Sequence, residues 1–233
     1  MTDLTAPSIE THRATEAPDA DQWAARFEAL YAEAGGEHAR IPWAHATPSP
    51  TLVRWLDREA RNHVRCGGRA CAVGCGLGDD AAELCRRGFD VTAFDASPAA
   101  IEHASARYAA EHPDIVWRVA DLFELPSDLV GRFDLVAEVH TIQSLPPRYR
   151  AELAAGIAHL LHRHGVVVAV ARGREESIPL DEVVGPPFAM TACELDEAFA
   201  QAGLTPVVPT IATPDTNTPP VLRLLGVYAR PDR

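Results

Sequence analysis

The chain is short of basic residues, of paired cysteines and of long apolar runs. Lysine and arginine together number 21 against 33 acidic residues, giving a formal net charge of −12. This deficit argues against a nucleic-acid-binding surface, which needs clustered basic side chains. No apolar run approaches the roughly 18 residues of a membrane span, and no basic start precedes an apolar block at the N-terminus. We therefore expect no nucleic-acid partner, no membrane association and no export.

The cysteines form neither a C-x-x-C pair nor a metal-ligand spacing. They are Cys66, Cys71, Cys75, Cys85 and Cys193. Cys71 lies in an apolar run that predicts a buried strand, so a reducing cytoplasmic compartment is the simplest interpretation. We expect no metal site.

A length of 233 residues with 47% hydrophobic content suits one α/β domain and is short for two. Residues 1–20 lack periodicity and are expected to form a disordered tail. Residues 21–64 are expected to form a helical lid, because Trp23, Phe27, Leu30 and Tyr31 share one helical face. Residues 65–233 are expected to form the core.

Apolar runs alternate with helical patterns throughout this core. Strands are predicted at 69–73, 91–95, 115–120, 133–139, 165–171, 204–210 and 221–229, and helices at 79–87, 98–111, 147–162 and 191–202. Near-continuous apolar strands are typical of a parallel sheet covered on both faces. The pattern predicts a Rossmann-like, doubly wound α/β fold.

The most informative segment is a glycine loop, in which Gly74, Cys75, Gly76 and Gly78 follow a short apolar run. Asp95 ends the next apolar run, 21 residues after Gly74. In a strand–loop–helix–strand unit, glycines let a ligand approach the backbone, and an acid at the second strand accepts hydrogen bonds from a ribose diol. The alternative is that the glycines only make a tight turn. We include Ala96, the next residue after Asp95, in the predicted cofactor site.

The glycine spacing favours one nucleoside cofactor over others. Dinucleotide folds have G-x-G-x-x-G with a pyrophosphate at the helix N-terminus, whereas this loop is G-x-G-x-G and its helix opens with Asp79 and Asp80. Two carboxylates would repel a pyrophosphate but suit a ligand with an ammonium and a sulfonium. S-adenosylmethionine meets these requirements, and an NAD-binding oxidoreductase is the alternative.

Residues at the ends of two later strands complete the predicted cofactor site. Asp121 could accept from the adenine amino group while Leu122 or Phe123 packs against the ring, although Asp121 could simply cap a turn. Glu138 ends the fourth strand, across the crevice where ligands bind in doubly wound sheets.

Four polar residues beyond the fourth and fifth strands are candidates for substrate contacts. His140 could act as a general base, since its usual pKa lies near neutrality, or serve as a hydrogen-bonding anchor. Gln143 could orient a substrate or cap a helix. Arg172 and Arg174 begin a segment of about 19 residues without clear periodicity, which is typical of a lid. They could bind an anionic substrate or pair with Glu175 and Glu176.

With these residues in view, the chain resembles class I S-adenosylmethionine-dependent methyltransferases. It is similar to their thiopurine and halide/thiol branch in Trp23, Phe27, Trp43 and the prolines of 41–50. The resemblance implies a seven-stranded sheet whose last strand is antiparallel. It also implies that the three glycines contact the methionine end, that Asp95 contacts the ribose and that Asp121 contacts the adenine. Trp23, Phe27 and Trp43 would cover the cofactor, or alternatively only fasten the N-terminal helix to the sheet.

One position departs from the family pattern. The acid that usually stands two residues before the first glycine is Ala72 here, and Asp79 or Asp80 could take its place. The expected activity is methyl transfer to a small molecule, with sulfur as the favoured acceptor atom and oxygen or nitrogen next. A cofactor-binding protein without catalysis is a further alternative, and a monomer or homodimer is expected.

Overall fold

A seven-stranded sheet forms the centre of the molecule in the computed structural model, which describes residues 9–231. Its strands are β2 (Arg69–Val73), β3 (Asp90–Asp95), β4 (Val116–Val119), β5 (Phe133–Val139), β6 (Leu161–Arg172), β8 (Thr205–Pro214) and β9 (Leu222–Ala229). Their order is β4-β3-β2-β5-β6-β9-β8, and β9 runs antiparallel to both of its neighbours. The predicted doubly wound, mostly parallel α/β sheet is therefore confirmed.

The central strands are buried on both faces. In β6, Val166, Val168 and Val170 belong to one apolar cluster, whereas Val167 and Ala169 belong to another on the opposite face. All five side chains are at most 1% exposed. This explains why the run is continuously apolar and does not alternate with polar residues.

Seven α-helices of the described residues surround the sheet. They are α1 (Ala20–Ala34), α2 (Pro50–Arg58), α3 (Ala60–His63), α4 (Asp79–Arg86), α5 (Pro98–Tyr108), α6 (Arg150–Leu160) and α7 (Ala192–Gln201). Side-chain caps mark three of their starts, at Ser49, Ser97 and Thr191. Ser97 accepts a hydrogen bond from the backbone of Ala100 at 3.0 Å, and Thr191 forms a capping box with Glu194.

The segment expected to form a lid divides into two parts. Leu52 and Trp55 of α2 are buried in the same cluster as Val168, so α2 covers one face of the sheet. In the first part, the Tyr31 hydroxyl of α1 approaches Gly76, and His38 and Ser49 of the loop of residues 35–49 contact the start of α4. The lid over 21–64 stays a prediction, and the apolar face of α2 in its second half is used to bury the sheet.

Residues 9–20 differ from the expected disordered tail. Here β1 (His12–Arg13) pairs antiparallel with β7 (Val184–Gly185), and Ala14 and Ala17 are buried. The β1–β7 pair and the burial of Ala14 and Ala17 hold this segment in place. Because its sequence shows no helical or strand periodicity, the sequence alone did not predict this order. The rest of the predicted tail, 1–8, lies outside the described residues.

Two kinds of feature are absent from residues 9–231. No described helix combines the length and apolar character needed to cross a membrane. The same part of the chain has no group of three or more His, Cys, Asp or Glu side chains arranged to hold a metal ion.

Gly156 marks a tight contact between α6 and the segment after β4. A Cβ at this position would lie 2.6 Å from the carbonyl oxygen of Leu122. Alanine gains about 1 kcal/mol of helix propensity over glycine, but overpacking costs roughly 1–3 kcal/mol. We expect Gly156→Ala to lower the melting temperature. Ala151→Gly, at an exposed site of the same helix, measures the propensity effect alone, and a stabilised Gly156→Ala would contradict the packing.

Candidate functional site

The loop between β2 and α4 holds three glycines in a conformation that other residues rarely adopt. Gly74, Gly76 and Gly78 have φ of +55°, +51° and +86°. A Cβ on Gly74 would lie 2.4 Å from the hydroxyl oxygen of Thr141, and one on Gly76 would lie 2.8 Å from that of Tyr31. The glycines are therefore required by both backbone conformation and close packing against Thr141 and Tyr31, and contact of the loop with a ligand stays a prediction.

Asp95 joins this loop to the end of β3. Its Oδ2 accepts a hydrogen bond from the Gly76 N–H at 2.9 Å, and its Oδ1 accepts from the Ser97 N–H at 2.9 Å. Burial raises the pKa of Asp95, and the backbone N–H groups of Ser97, Gly76 and Ala96 oppose that rise. Each carboxylate oxygen retains a lone pair for a ligand hydroxyl. Beside it, the Cys75 N–H donates to the Phe94 carbonyl at 3.0 Å.

Tyr31 of α1 also lies against the glycine loop, and sequence reasoning did not assign it to the site. Trp43 donates from Nε1 to the Tyr31 hydroxyl at 3.2 Å, and the ring centroids of Trp43 and Phe27 are 5.6 Å apart. Burial, followed by the charge of Asp95, raises the pKa of Tyr31. Tyr31 lies one helical turn after Phe27, so the sequence alone could have placed both side chains on the same face of α1 and assigned Tyr31 to the site as well.

Trp23 occupies a different environment from Phe27 and Trp43. It is fully buried, and its ring centroid lies 6.0 Å from that of Phe188 and 5.6 Å from that of His12. These contacts attach α1 to the segment after β7, which is the fastening role. Its indole Nε1 has no hydrogen-bond partner among residues 9–231.

The two acids that open α4 have protein partners. The Nε2 of His38 lies 3.1 Å from Oδ2 of Asp79, and Tyr108 donates to Oδ1 of Asp79 at 2.7 Å. Asp80 accepts from the Ser49 N–H at 2.7 Å, and burial raises its pKa to about 6. These contacts tie the loop of residues 38–49 to α4, so both carboxylates have a structural role independent of any ligand.

Asp121 and Leu122 follow β4. Asp121 is exposed and accepts a hydrogen bond from the Phe123 N–H at 2.9 Å, as in a turn cap. Leu122 is buried in the cluster on the α6 and α7 side of the sheet. The contacts of Asp121 match the capping alternative, and contact with adenine stays a prediction.

Glu138 is the last residue but one of β5 and lies directly beside Val73, the residue before the glycine loop. Its Oε1 accepts from the Ile142 N–H at 2.9 Å, and its Oε2 is buried without a partner in the described chain. Burial raises the pKa of Glu138 to about 7, although the backbone N–H groups of Ile142 and Thr141 oppose the shift. A buried carboxylate oxygen without a partner is costly and calls for a ligand or water.

His140 and Gln143 form a linked pair after β5. His140 has φ of +66°, and its Nδ1 lies 3.3 Å from the Gln143 Oε1 while its Nε2 lies 3.5 Å from Nη1 of Arg223. An amide oxygen only accepts and a guanidinium only donates, so Nδ1 carries the proton. Burial lowers the pKa of His140 to about 4, so the ring is neutral at pH 7. Both ring nitrogens are engaged, which favours the anchor role.

The two arginines after β6 differ. Arg174 has a buried side chain that forms an ion pair with Glu194 and donates to the Ile178 carbonyl at 2.7 Å. Glu194 also binds Arg150 at 3.0 Å. Arg174 therefore holds the lid segment to α7, in place of the expected substrate contact. Arg172 is exposed, and its guanidinium has no hydrogen-bond or ion-pair partner within residues 9–231.

A cavity of about 190 Å³ lies elsewhere on the sheet. Among its lining residues are Arg69 and Asp90, which begin β2 and β3. Ligands of open α/β sheets bind at the carboxyl ends of the strands, so this cavity is at the opposite edge from the site described above.

Comparison with known proteins agrees with this geometry. Residues 70–165, which include the glycine loop, Asp95 and the segment after β5, match the family described as a methyltransferase domain. A ubiquinone biosynthesis O-methyltransferase of Acinetobacter baylyi is 29% identical over 123 residues, covering 52% of this chain and 50% of the relative. The chain spans about half the length of the curated relatives that it matches first.

Solved structures share the architecture across almost the whole chain. A 1,6-didemethyltoxoflavin N1-methyltransferase of Burkholderia thailandensis, crystallised with S-adenosylhomocysteine, has a TM-score of 0.71 at 19% identity and covers 92% of each chain. A structure described as converting a disulfide bond into a thioacetal group during echinomycin biosynthesis has a TM-score of 0.69 at 22% identity, covering 88% of this chain and 90% of the other. The fold is therefore that of class I methyltransferases, and residues 70–165 match the methyltransferase domain family.

Proposed function

We propose that the chain is an S-adenosylmethionine-dependent methyltransferase acting on a small molecule. The observation that carries the proposal is the Asp95 carboxylate, fixed by two backbone N–H groups beside three glycines of positive φ. Bound to this site, the cofactor would supply an electrophilic methyl group on a sulfonium. The finer assignment to the thiopurine and halide/thiol branch stays a prediction.

The residues of the site fit this cofactor. Asp95 has free lone pairs for a ribose diol, and the glycine loop leaves its backbone open to close approach. No lysine or arginine lies within the loop of residues 74–78, and two acids follow it. That composition disfavours a pyrophosphate and therefore an NAD-dependent oxidoreductase. Tyr31 and Trp43 would cover the loop from the side of α1.

Methyl transfer places modest demands on the side chains. The reaction is an in-line displacement, so positioning and exclusion of water supply most of the rate, with effective molarities worth roughly 7–11 kcal/mol. In this proposal α1, the loop of residues 35–49 and the segment between β6 and α7 would exclude water from the site. A separate nucleophilic side chain is not needed.

The state of His140 bears on the acceptor atom. Its nitrogens are engaged by Gln143 and Arg223, and a base with a pKa of about 4 assists proton removal weakly at pH 7. A thiol ionises near neutrality without help, so we favour a sulfur acceptor. A structural neighbour whose subject is thioacetal formation supports this choice.

Oxygen is the second candidate acceptor. The curated relatives are named as ubiquinone biosynthesis O-methyltransferases. A phenol needs a base, and Glu138 supplies a buried carboxylate with an unpartnered oxygen and a pKa raised to about 7. Methylation assays on matched thiols and phenols decide between the two acceptors.

Asp95→Asn should weaken cofactor binding, because an amide offers one acceptor oxygen where a carboxylate offers two. We expect the dissociation constant for S-adenosylhomocysteine in calorimetry to rise by about 10-fold or more, since hydrogen bonds to a charged group contribute roughly 1.5–3 kcal/mol. Asp90→Asn, at the exposed start of the same strand, should leave binding unchanged. Equal affinity of Asp95→Asn and the unchanged protein would refute the site, as would stronger binding of NAD than of S-adenosylhomocysteine.

His140→Ala tests the anchor role against the base role. An anchor positions Gln143 and Arg223 for every acceptor, so turnover of a thiol and of the matching phenol should fall by similar factors. A loss confined to the phenol, together with loss of the acidic limb of its pH–rate profile, would instead identify His140 as the base.

Glu138→Gln should change how stability depends on pH. The pKa of Glu138 is raised from 4.5 to about 7, so between these values the folded state holds the proton more tightly than the unfolded state. Stability contributed by this group is therefore lost as pH rises through that window, by roughly 3 kcal/mol at most. In urea unfolding, the variant should gain stability relative to the unchanged protein between about pH 5 and pH 8. A constant difference would contradict the raised pKa.

A further inference from the structure

Two arginines stand directly opposite each other at the edge of the sheet that carries the site. Arg172 of β6 pairs in register with Arg223 of β9, and the two strands are antiparallel. Side chains in such a pair share one face of the sheet, and like charges placed opposite each other are destabilising. An arrangement of this kind needs a compensating negative charge.

The protein supplies that charge to only one of the two arginines. Arg223 is paired with Asp215, with Nε and Oδ2 3.1 Å apart. The Arg172 guanidinium is exposed and has no ion-pair partner among residues 9–231. One positive charge is thus left at this corner of a chain whose formal net charge is −12.

Neighbouring groups extend this positive corner and add hydrogen-bond donors. The Nη1 of Arg223 lies 3.5 Å from the Nε2 of His140, so the His140 ring lies beside the strand pair that carries the two arginines. The Gln143 Oε1 accepts from the Arg172 N–H, which places the Gln143 side chain beside the same strand end. Gln143 is fully buried, and its Nε2 donor has no partner in the described chain.

We propose that Arg172, with Arg223 and the Gln143 amide, binds an anionic group of the methyl acceptor, such as a carboxylate. This inference rests on the proposed function and specifies the acceptor class of the same site. Planar guanidinium groups bind carboxylates through paired hydrogen bonds, and an unpartnered amide donor adds a further contact. Because β6 lies two strands from β2, about 10 Å away, the anion would be held beyond the glycine loop.

The decisive experiment compares matched acceptors on the full chain. Initial rates with S-adenosylmethionine are measured for 2-mercaptobenzoate and for thiophenol, which differ in the carboxylate. Arg172→Gln should lower kcat/KM for 2-mercaptobenzoate by about 10- to 100-fold and leave that for thiophenol within about twofold. Arg61→Gln, at an exposed arginine of α3, is the matched control and should change neither value.

Binding separates this inference from the proposed function. Calorimetry of 2-mercaptobenzoate is carried out on protein saturated with S-adenosylhomocysteine, and the Arg172→Gln change should weaken only the mercaptobenzoate. Asp215→Asn releases Arg223 from its partner and should tighten mercaptobenzoate binding.

Cofactor binding without any preference for the anionic acceptor would overturn the inference and leave the proposed function standing. Weaker S-adenosylhomocysteine binding by Arg172→Gln would overturn it too, because the arginine would then serve the cofactor's own carboxylate. Failure to bind S-adenosylhomocysteine at all would refute the proposed function.

Discussion

The hydrogen bonds between the Asp95 carboxylate and the backbone N–H groups of Gly76 and Ser97 hold the site together. They fix the glycine loop against the end of β3 and set the start of α5 in the same step. The loop conformation in turn leaves room for Tyr31 and Thr141, whose hydroxyls approach Gly76 and Gly74 where no Cβ could stand. One buried carboxylate therefore positions groups from α1, from β3 and from the segment after β5.

The sheet and the glycine loop were predictable from sequence because their signals are local. Continuous apolar runs such as 166–171 require burial on both faces, and the glycine spacing with Asp95 at the next strand end defines one type of loop. The roles of Arg174 and Asp79 were not predictable, because their partners Glu194 and His38 lie 20 and 41 residues away in the chain. No sequence pattern reveals a pairing at such distances when the residues between follow no period. Residues 9–20 escaped prediction for the same reason, since β1 finds its partner only at β7.

Charge is distributed unevenly in this acidic chain. Asp79 and Asp80, at the start of α4, form hydrogen bonds with His38, Tyr108 and Ser49. The bonds to His38 and Ser49 connect the loop of residues 35–49 to α4. Of the two arginines at the ends of β6 and β9, Arg223 forms an ion pair with Asp215 and Arg172 forms none within residues 9–231. The acids beside the glycine loop are thus held by hydrogen bonds from the protein, whereas Arg172 at the end of β6 has no ion-pair partner among residues 9–231. Under the proposed function, a cationic sulfonium would lie on the acidic side and an anionic acceptor near the arginines, so that neither would face a like charge.

Three features that reduce the stability of the fold lie at the carboxyl ends of the parallel strands. Positive φ at His140, an unpartnered buried oxygen on Glu138 and opposed arginines at Arg172 and Arg223 each reduce stability. They involve both faces of the sheet, since Glu138 is in register with Ala169 on one face, whereas Arg172 and Arg223 share the other face with Val168 and Val170. Such costs persist where a ligand offsets them, and local rules are broken mainly at functional sites. That they coincide at the carboxyl ends of β5 and β6 is a physical reason, independent of any resemblance, to place the acceptor there.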